Sequence, residues 1–153
     1  MYDIRDILKK AILITEKRME IYHKILENTP DPRLRIMIQI MISRLAQDIT
    51  YYEHIIEELK GKEIEPIDFG IYDTISSLIN QFVRTLVVPK CKTRREFLNF
   101  VIENESATLA LAVDIQGRLA QAEGRSDSQT YMIFSKIILH KRFKIQELEY
   151  YKE

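Results

Sequence analysis

The sequence is poor in residues that interrupt helices, and it is also poor in cysteine. Its 153 residues include four glycines, four prolines, one cysteine and no tryptophan. A single cysteine cannot form an internal disulfide, and a chain of this length can bury a core without one. Few glycines and prolines, together with 46% hydrophobic and 30% charged residues, are typical of a helical protein.

An excess of one charge and long apolar segments are missing as well. The 23 Lys and Arg residues balance 23 Asp and Glu residues, so the chain lacks the basic excess that gives affinity for nucleic acid or membrane surfaces. It contains no run of about 18 consecutive apolar residues. Acidic residues stand near its N-terminus, where a secretory signal is basic and then apolar. We therefore expect a cytoplasmic protein that binds neither nucleic acid nor membranes.

Capping residues and helix breakers divide most of the chain into four long helices. Asp31 with a following proline begins the second helix, and Gly61 ends it. Thr93 has Glu96 three residues later, a capping box that begins the third helix, and Gly124 ends that helix. The predicted helices span residues 3–27, 31–60, 93–122 and 128–151.

The lengths of the connections indicate how these helices are arranged. Helices 1 and 2 are joined by a few residues, as are helices 3 and 4, so each pair forms an antiparallel hairpin. Residues 61–92 form a crossover that is long enough to run along the molecule, with room for a short helix in residues 71–86. The prediction is one all-α domain over residues 1–153, an antiparallel four-helix bundle with a long crossover between helices 2 and 3.

Two acidic residues fall in the middle of apolar helix faces. Asp48 shares a face of helix 2 with Leu45 and Tyr52, and Glu105 shares a face of helix 3 with Leu109. Burying an unpaired carboxylate costs several kcal/mol, so each acid needs a partner or a route to water. Two interpretations stay open: the acids reach water at the edge of the apolar face, or they form a polar centre inside the bundle.

Three segments of the chain are similar to those of a known family. They are AILITEKRMEIYHKIL, DPRLRIMIQIMISRLAQDITYYEHIIEEL and FLNFVIENESATLALAV. Together they resemble the ferritin-like superfamily, and within it the rubrerythrin-related di-iron carboxylate proteins. The resemblance implies a ferritin-like bundle in which helices 1 and 3 each supply a glutamate and helices 2 and 4 each supply Glu-x-x-His. Those ligands hold two iron ions at which oxygen or peroxide is reduced.

Most positions that correspond to these iron ligands are substituted. They are Thr15 on helix 1, Leu45 and Asp48 on helix 2, Glu105 on helix 3, and Ile138 and Lys141 on helix 4, or Leu139 and Arg142 if helix 4 is shifted by one residue. The glutamate of helix 3 is kept, and no histidine is in place. The sequence therefore predicts a degenerate site without metal, because two carboxylates provide too few ligands for two iron ions. If any metal binds, Glu105 and Asp48 are its candidate ligands.

The histidines and the cysteine offer no alternative site. Glu20 and His23 form a Glu-x-x-His, but on the outer face of helix 1. His54 and His140 lie away from the apolar faces, and we interpret all three histidines as surface or packing residues. Cys91 stands in the basic loop PKCKTRR, where neighbouring bases can lower the pKa of a thiol. Without a second cysteine, it is interpreted as a non-catalytic loop residue.

A basic side chain is predicted to replace the metal as counter-ion to Glu105. Lys141 or Arg142 stands near the position of a missing ligand on helix 4. The predicted polar cluster contains Asp48, Tyr52, Glu105, Gln116, Lys141 and Arg142. In this hypothesis the cation pairs with Glu105 alone or with both Glu105 and Asp48, and Tyr52 or Gln116 adds a hydrogen bond.

A non-catalytic structural, binding or regulatory role without a cofactor is the function that the sequence favours. One alternative is a rubrerythrin-like di-iron oxidoreductase or iron-binding protein. Another is a bundle that binds a small organic ligand near Tyr22, Tyr52 and Tyr131.

Outward apolar residues bear on the partners of the protein. Ile36 and Ile40 lie off the main apolar face of helix 2, and Phe100 and Leu111 lie off that of helix 3. Such residues are covered by the crossover or form an interface between copies of the chain. We expect a homodimer.

Overall fold

Five helices and one short strand pair make up the described part of the chain. The computed structural model describes residues 1–124 and 128–152. The helices are α1 (Ile4–Glu27), α2 (Pro32–Glu58), α3 (Phe69–Thr85), α4 (Arg94–Glu123) and α5 (Gln129–Lys152). The strands β1 (Tyr2–Asp3) and β2 (Pro66–Ile67) pair antiparallel, with Tyr2 opposite Ile67. The all-α class is confirmed.

The starts of the long helices follow the capping residues. Asp3 and Asp31 accept hydrogen bonds from backbone N–H groups of the first turns of α1 and α2. Thr93 Oγ1 accepts from the N–H of Glu96 at 3.1 Å, which confirms the predicted cap of α4. Ser128 Oγ accepts from an N–H of the first turn of α5. All four long helices begin and end within two residues of their predicted bounds.

Glycines in the left-handed backbone conformation follow the ends of α2 and α4. Gly61 has a φ of 74° and Gly124 a φ of 68°, a backbone conformation that other residues rarely adopt. Helix α2 stops at Glu58, two residues before its predicted end at Lys60. The reason is that the N–H groups of Leu59 and Lys60 bond three residues back, which tightens the chain into a turn before the glycine.

The helices pack as two hairpins, and the crossover lies against both. Helices α1 and α2 contact each other along their lengths, and so do α4 and α5. Helix α3, the short helix expected in the crossover, packs against α4 and α1. The strand pair fastens the crossover to the start of the chain. Two-residue strands have no periodicity, so the sequence pattern does not indicate them.

Two hydrophobic clusters fill the interior. One contains the first half of α1, the second half of α2, α3 and the facing ends of α4 and α5. The other contains the second half of α1, the first half of α2 and the start of α4. Where the clusters meet, each long helix contributes a buried charged side chain, and α5 also contributes the partly buried Lys144. We call this set the polar layer: Arg18, Asp48, Glu105, Lys141 and Lys144.

The crossover covers part of the outward apolar surface. Phe100 and Leu111 are partly buried and pack against the hydrophobic clusters. Ile36 and Ile40 remain 58% and 52% exposed. Within residues 1–124 and 128–152, no helix combines the length and apolar character that a membrane span needs.

Candidate functional site

Glu105 is buried at the centre of the protein and forms an ion pair with an arginine. The side chain of Glu105 is 7% exposed and that of Arg18 is 2% exposed. Arg18 Nη2 donates to Glu105 Oε1 at 2.7 Å and to the hydroxyl of Tyr22 at 3.3 Å. Burial alone would raise the pKa of Glu105, but Arg18 and the nearby lysines hold it below its ordinary value. The carboxylate is therefore ionised at neutral pH, and of the two interpretations left open Glu105 follows the one in which the acid lies in a polar centre inside the protein.

The predicted source of the cation is wrong. Arg18 on α1 pairs with Glu105, not Lys141 or Arg142 on α5. Arg18 stands at helical spacing between Thr15 and Tyr22, so the periodicity of α1 points it inward. Its residue type hides this signal, because arginine is almost never fully buried unless it is paired. A search for a base facing the unpaired glutamate would have found it.

Lys141 is also buried, as predicted, but it contacts an aromatic ring and not a carboxylate. Its exposure is 8%, and its Nζ lies 5.8 Å from the centre of the Tyr52 ring. Burial would lower the pKa of Lys141, but the neighbouring Tyr52 and the charge of Glu105 raise it above its ordinary value. Lys141 is therefore positively charged at neutral pH.

Asp48 forms a second ion pair, between α2 and α5. Its side chain is 8% exposed and accepts a hydrogen bond from Lys144 Nζ. His140 Nε2 lies 3.7 Å from the same carboxylate. Burial and the charge of Lys144 lower the pKa of His140, so the imidazole is neutral at pH 7. Asp48 is thus buried and does not reach water freely, and its cation is Lys144, one turn from Lys141, and not Lys141 or Arg142.

Two members of the predicted cluster lie elsewhere. Arg142 is exposed, because it follows the inward Lys141 by one residue and so points about 100° away from it. Gln116 donates from Nε2 to the backbone oxygen of Tyr131 at 3.1 Å and to Ser135 Oγ at 2.8 Å. It joins α4 to α5 about three turns from Glu105. Neither residue belongs to the polar layer.

Of the remaining positions that the resemblance equates with iron ligands, Thr15, Leu45 and Ile138 are buried but offer few ligand atoms. Thr15 Oγ1 donates to the backbone oxygen of Ala11 at 2.9 Å. Leu45 and Ile138 are part of the hydrophobic clusters, and Leu139 is 54% exposed. Within residues 1–124 and 128–152, no three His, Cys, Asp or Glu side chains come together in a way that suits a metal ion.

The histidines and the cysteine lie at the surface or at its edge. His23 is exposed, and the exposed His54 lies 2.9 Å from Glu58. His140 stacks on Tyr51, with 4.3 Å between the ring centres. Burial, followed by the charge of Glu96, raises the pKa of Cys91, so the basic loop does not make a reactive thiolate.

Small cavities adjoin the polar layer on two sides. The larger, of about 50 Å³, is walled by apolar side chains and by Thr15, Arg18, Tyr52, Thr108 and Lys141. The smaller, of about 10 Å³, lies beside Glu105 and Lys144. Among the described residues, Arg18 Nε and Glu105 Oε2 have no hydrogen-bond partner. Of the three tyrosines expected to surround an organic ligand, the larger cavity is lined by Tyr52 but not by Tyr22 or Tyr131.

The charges of the polar layer do not balance. Three cations, Arg18, Lys141 and Lys144, face two anions, Asp48 and Glu105. At the edge of the polar layer, Arg44 Nη1 and Glu147 Oε1 lie 3.0 Å apart, and this ion pair leaves the net charge unchanged. Among the residues of the polar layer there is thus one more cation than there are anions, and the buried Lys141 is the cation without an acidic partner.

Comparison with known proteins identifies no relative from which a role can be transferred. Neither a protein-family model, nor a curated protein, nor a solved structure matches this chain. The contacts and charges of the polar layer are thus the basis for proposing a function.

Proposed function

We propose that the protein is a ferritin-like four-helix bundle with a degenerate di-iron site and a non-catalytic structural, binding or regulatory role in the cytoplasm. The observation that carries this proposal is the ion pair of Arg18 and Glu105. It places a side-chain cation against the one glutamate that matches the family's ligand set. The cation can therefore neutralise the buried carboxylate in place of a metal.

Contacts between the hairpins support the bundle arrangement. Arg18 meets Glu105, and one turn later in α1 Tyr22 meets Phe100, which precedes Glu105 in α4. The same reversal relates α2 and α5, where Asp48 meets Lys144 and Arg44 meets Glu147. Both helix pairs between the hairpins thus run antiparallel, as a ferritin-like bundle requires.

The residues present do not fit a di-iron centre. Glu105 and Asp48 are each engaged by a cation, and the other positions hold Thr15, Leu45, Ile138 and Lys141. A second obstacle is the charge of the layer, because buried Arg18 and Lys141 repel a divalent cation. We therefore derive no reaction step through iron.

The polar layer supports a role in fixing how the hairpins dock. Arg18 and Asp48 belong to the first hairpin, whereas Glu105 and Lys144 belong to the second. A shift of one helical turn, about 5.4 Å, would separate both ion pairs inside an apolar interior. Buried polar groups are known to select one packing register over others in this way.

Metal analysis tests the proposal. We expect protein purified from iron-supplemented medium to contain far less than one iron per chain, because the ligands are lacking and the site is cationic. Inductively coupled plasma mass spectrometry on protein purified without an affinity tag measures this ratio. A substoichiometric ratio that exhaustive dialysis removes supports the proposal. About two tightly held irons per chain would contradict it and favour the alternative, a di-iron oxidoreductase or iron-binding protein.

We further propose that the protein is a homodimer that uses the exposed apolar side chains of α2. Ile36 and Ile40 lie one turn apart and stay more than half exposed. Light scattering coupled to size exclusion should give twice the 18.2 kDa chain mass. The double variant Ile36→Glu/Ile40→Glu should give the monomer mass. Leu13→Glu, at a 63% exposed position of α1, is the matched control and should remain dimeric. A monomeric parent protein would refute this.

A further inference from the structure

We propose that the larger cavity binds a short-chain monocarboxylate such as acetate or propionate, held by Arg18 and Lys141. Both side chains line this cavity, and among the residues that the structure describes no acidic side chain lines it. A carboxylate site of this kind is additional to the proposed function and does not depend on the ferritin-like resemblance.

The surplus charge is the first reason to expect an anion. Arg18 pairs with Glu105 and Lys144 with Asp48, whereas Lys141 forms no such ion pair; its Nζ lies 5.8 Å from the centre of the Tyr52 ring. Glu105 is the acid whose charge acts on Lys141, but it already accepts a 2.7 Å hydrogen bond from Arg18. Burying an uncompensated cation is costly, so one monovalent anion beside Lys141 would restore neutrality.

Hydrogen-bonding capacity is the second reason. Arg18 uses Nη2 for Glu105 and Tyr22, but its Nε–H has no partner among the described residues although the side chain is 2% exposed. A guanidinium and an ammonium group together suit the two oxygens of a carboxylate. The unpartnered Nε–H of Arg18 and the ammonium group of Lys141 are two charged donors on residues that line the cavity.

The shape and lining of the cavity define the rest of the ligand. Its volume is about 50 Å³, whereas one water molecule needs about 10–15 Å³ on the same measure. The space therefore suits about three to five non-hydrogen atoms, a range that includes acetate and propionate. Beyond the polar end, the wall is formed by Leu8, Ala11, Ile14, Ala112 and Phe134 among other apolar side chains. Such a wall favours a ligand with a methyl or ethyl group at its other end over an inorganic anion, which is polar on every side.

Thermal unfolding of the full chain in the presence of sodium salts tests the proposal. At constant pH and ionic strength, acetate and propionate should raise Tm in a saturable manner, because a ligand that binds only the folded state stabilises it. Isothermal titration calorimetry should give one site per chain. Chloride and nitrate test an inorganic anion, and hexanoate tests the length limit; none of the three should reproduce the effect. Equal stabilisation by chloride or nitrate, or no saturable response to acetate and propionate, would overturn the proposal.

Three variants test which residues hold the ligand. Lys141→Met should weaken acetate binding at least about tenfold, and it should fold because it removes the surplus charge. Ala112→Leu keeps every charge but fills the cavity, so it should also abolish the response. Lys136→Met, at an exposed lysine of α5, is the matched control and should bind acetate like the parent protein. Unchanged binding by Ala112→Leu would place the anion elsewhere and refute the site.

Discussion

Replacing Arg18 by methionine is expected to destabilise the protein by about 3–5 kcal/mol, the cost of leaving a buried carboxylate without its partner. Glu105 is 7% exposed, so it cannot turn to bulk water when the guanidinium is removed. Tyr22 loses its 3.3 Å hydrogen bond from Arg18 at the same time. Urea unfolding at pH 7, followed by circular dichroism, measures the change in the free energy of unfolding. A loss below about 1 kcal/mol would show that the pair is not buried as described.

Two further variants separate the ion pair from general damage. The double variant Arg18→Met/Glu105→Leu should recover most of the lost stability, because replacing both partners by apolar groups is often neutral. Arg118→Met breaks an exposed pair with Asp114, in which the side chains are 45% and 48% exposed. This control should change the free energy of unfolding by less than about 0.5 kcal/mol. Equal losses in the double variant and in Arg18→Met would contradict the assignment.

The pH dependence of Arg18→Met gives an independent test. In the parent protein the pKa of Glu105 lies below its ordinary value of 4.5, so the pair stabilises the fold above that pH and is lost as the pH falls through the folded-state pKa. Without Arg18, burial dominates and raises the folded-state pKa above the unfolded one. The variant should then gain stability relative to the parent as the pH falls below about 5. A deficit that stays constant with pH would exclude this origin.

Replacing Phe97 by alanine is expected to destabilise the protein by about 3–5 kcal/mol, because it removes a whole aromatic ring from the core. Phe97 is 0% exposed and contacts the edge of the Tyr22 ring, with 5.5 Å between the ring centres. Tyr22 in turn accepts a hydrogen bond from Arg18. The Phe97 ring thus helps to hold Tyr22 in position beside Arg18, and it also fills part of the second hydrophobic cluster. Urea unfolding at pH 7 measures the loss.

Matched changes show whether burial is the cause. Phe143 lies on α5 with 62% exposure, so Phe143→Ala should alter the free energy of unfolding by less than about 0.5 kcal/mol. Phe97→Leu keeps most of the volume and should cost less than about 1.5 kcal/mol. Because Phe97 and Arg18 both contact Tyr22, the double variant Phe97→Ala/Arg18→Met should lose less than the sum of the single losses. Strict additivity would argue against a shared contact.

The long helices were predictable because their signals are local. A cap such as Thr93 acts within one turn, and a left-handed glycine such as Gly124 ends a helix through its own backbone. The inward direction of Asp48, Glu105 and Lys141 follows from helical periodicity in the same way. Each of these features depends on residues that are close in the sequence.

The pairing of the buried charges was not predictable because it depends on packing between hairpins. Periodicity shows that Glu105 faces inward, but Arg18 reaches it across 87 positions of the sequence. On α5, Lys141 and Lys144 lie one turn apart. The position of α2 along the axis of α5 decides which of the two lysines meets Asp48. The predicted place of Gln116 in the polar layer is wrong for the same reason, since its hydrogen bonds go to Tyr131 and Ser135 on α5.

The distribution of the paired charges also determines which helical surfaces can recognise each other. The first hairpin presents a cation on α1 and an anion on α2, Arg18 and Asp48. The second presents the reciprocal set on α4 and α5, Glu105 and Lys144. If two copies of the first hairpin met in the same way, Arg18 would face Arg18, and like charges in an apolar interior are strongly unfavourable. A chain that exchanged hairpins with a neighbour would thus have to restore the same pairing of first with second hairpin.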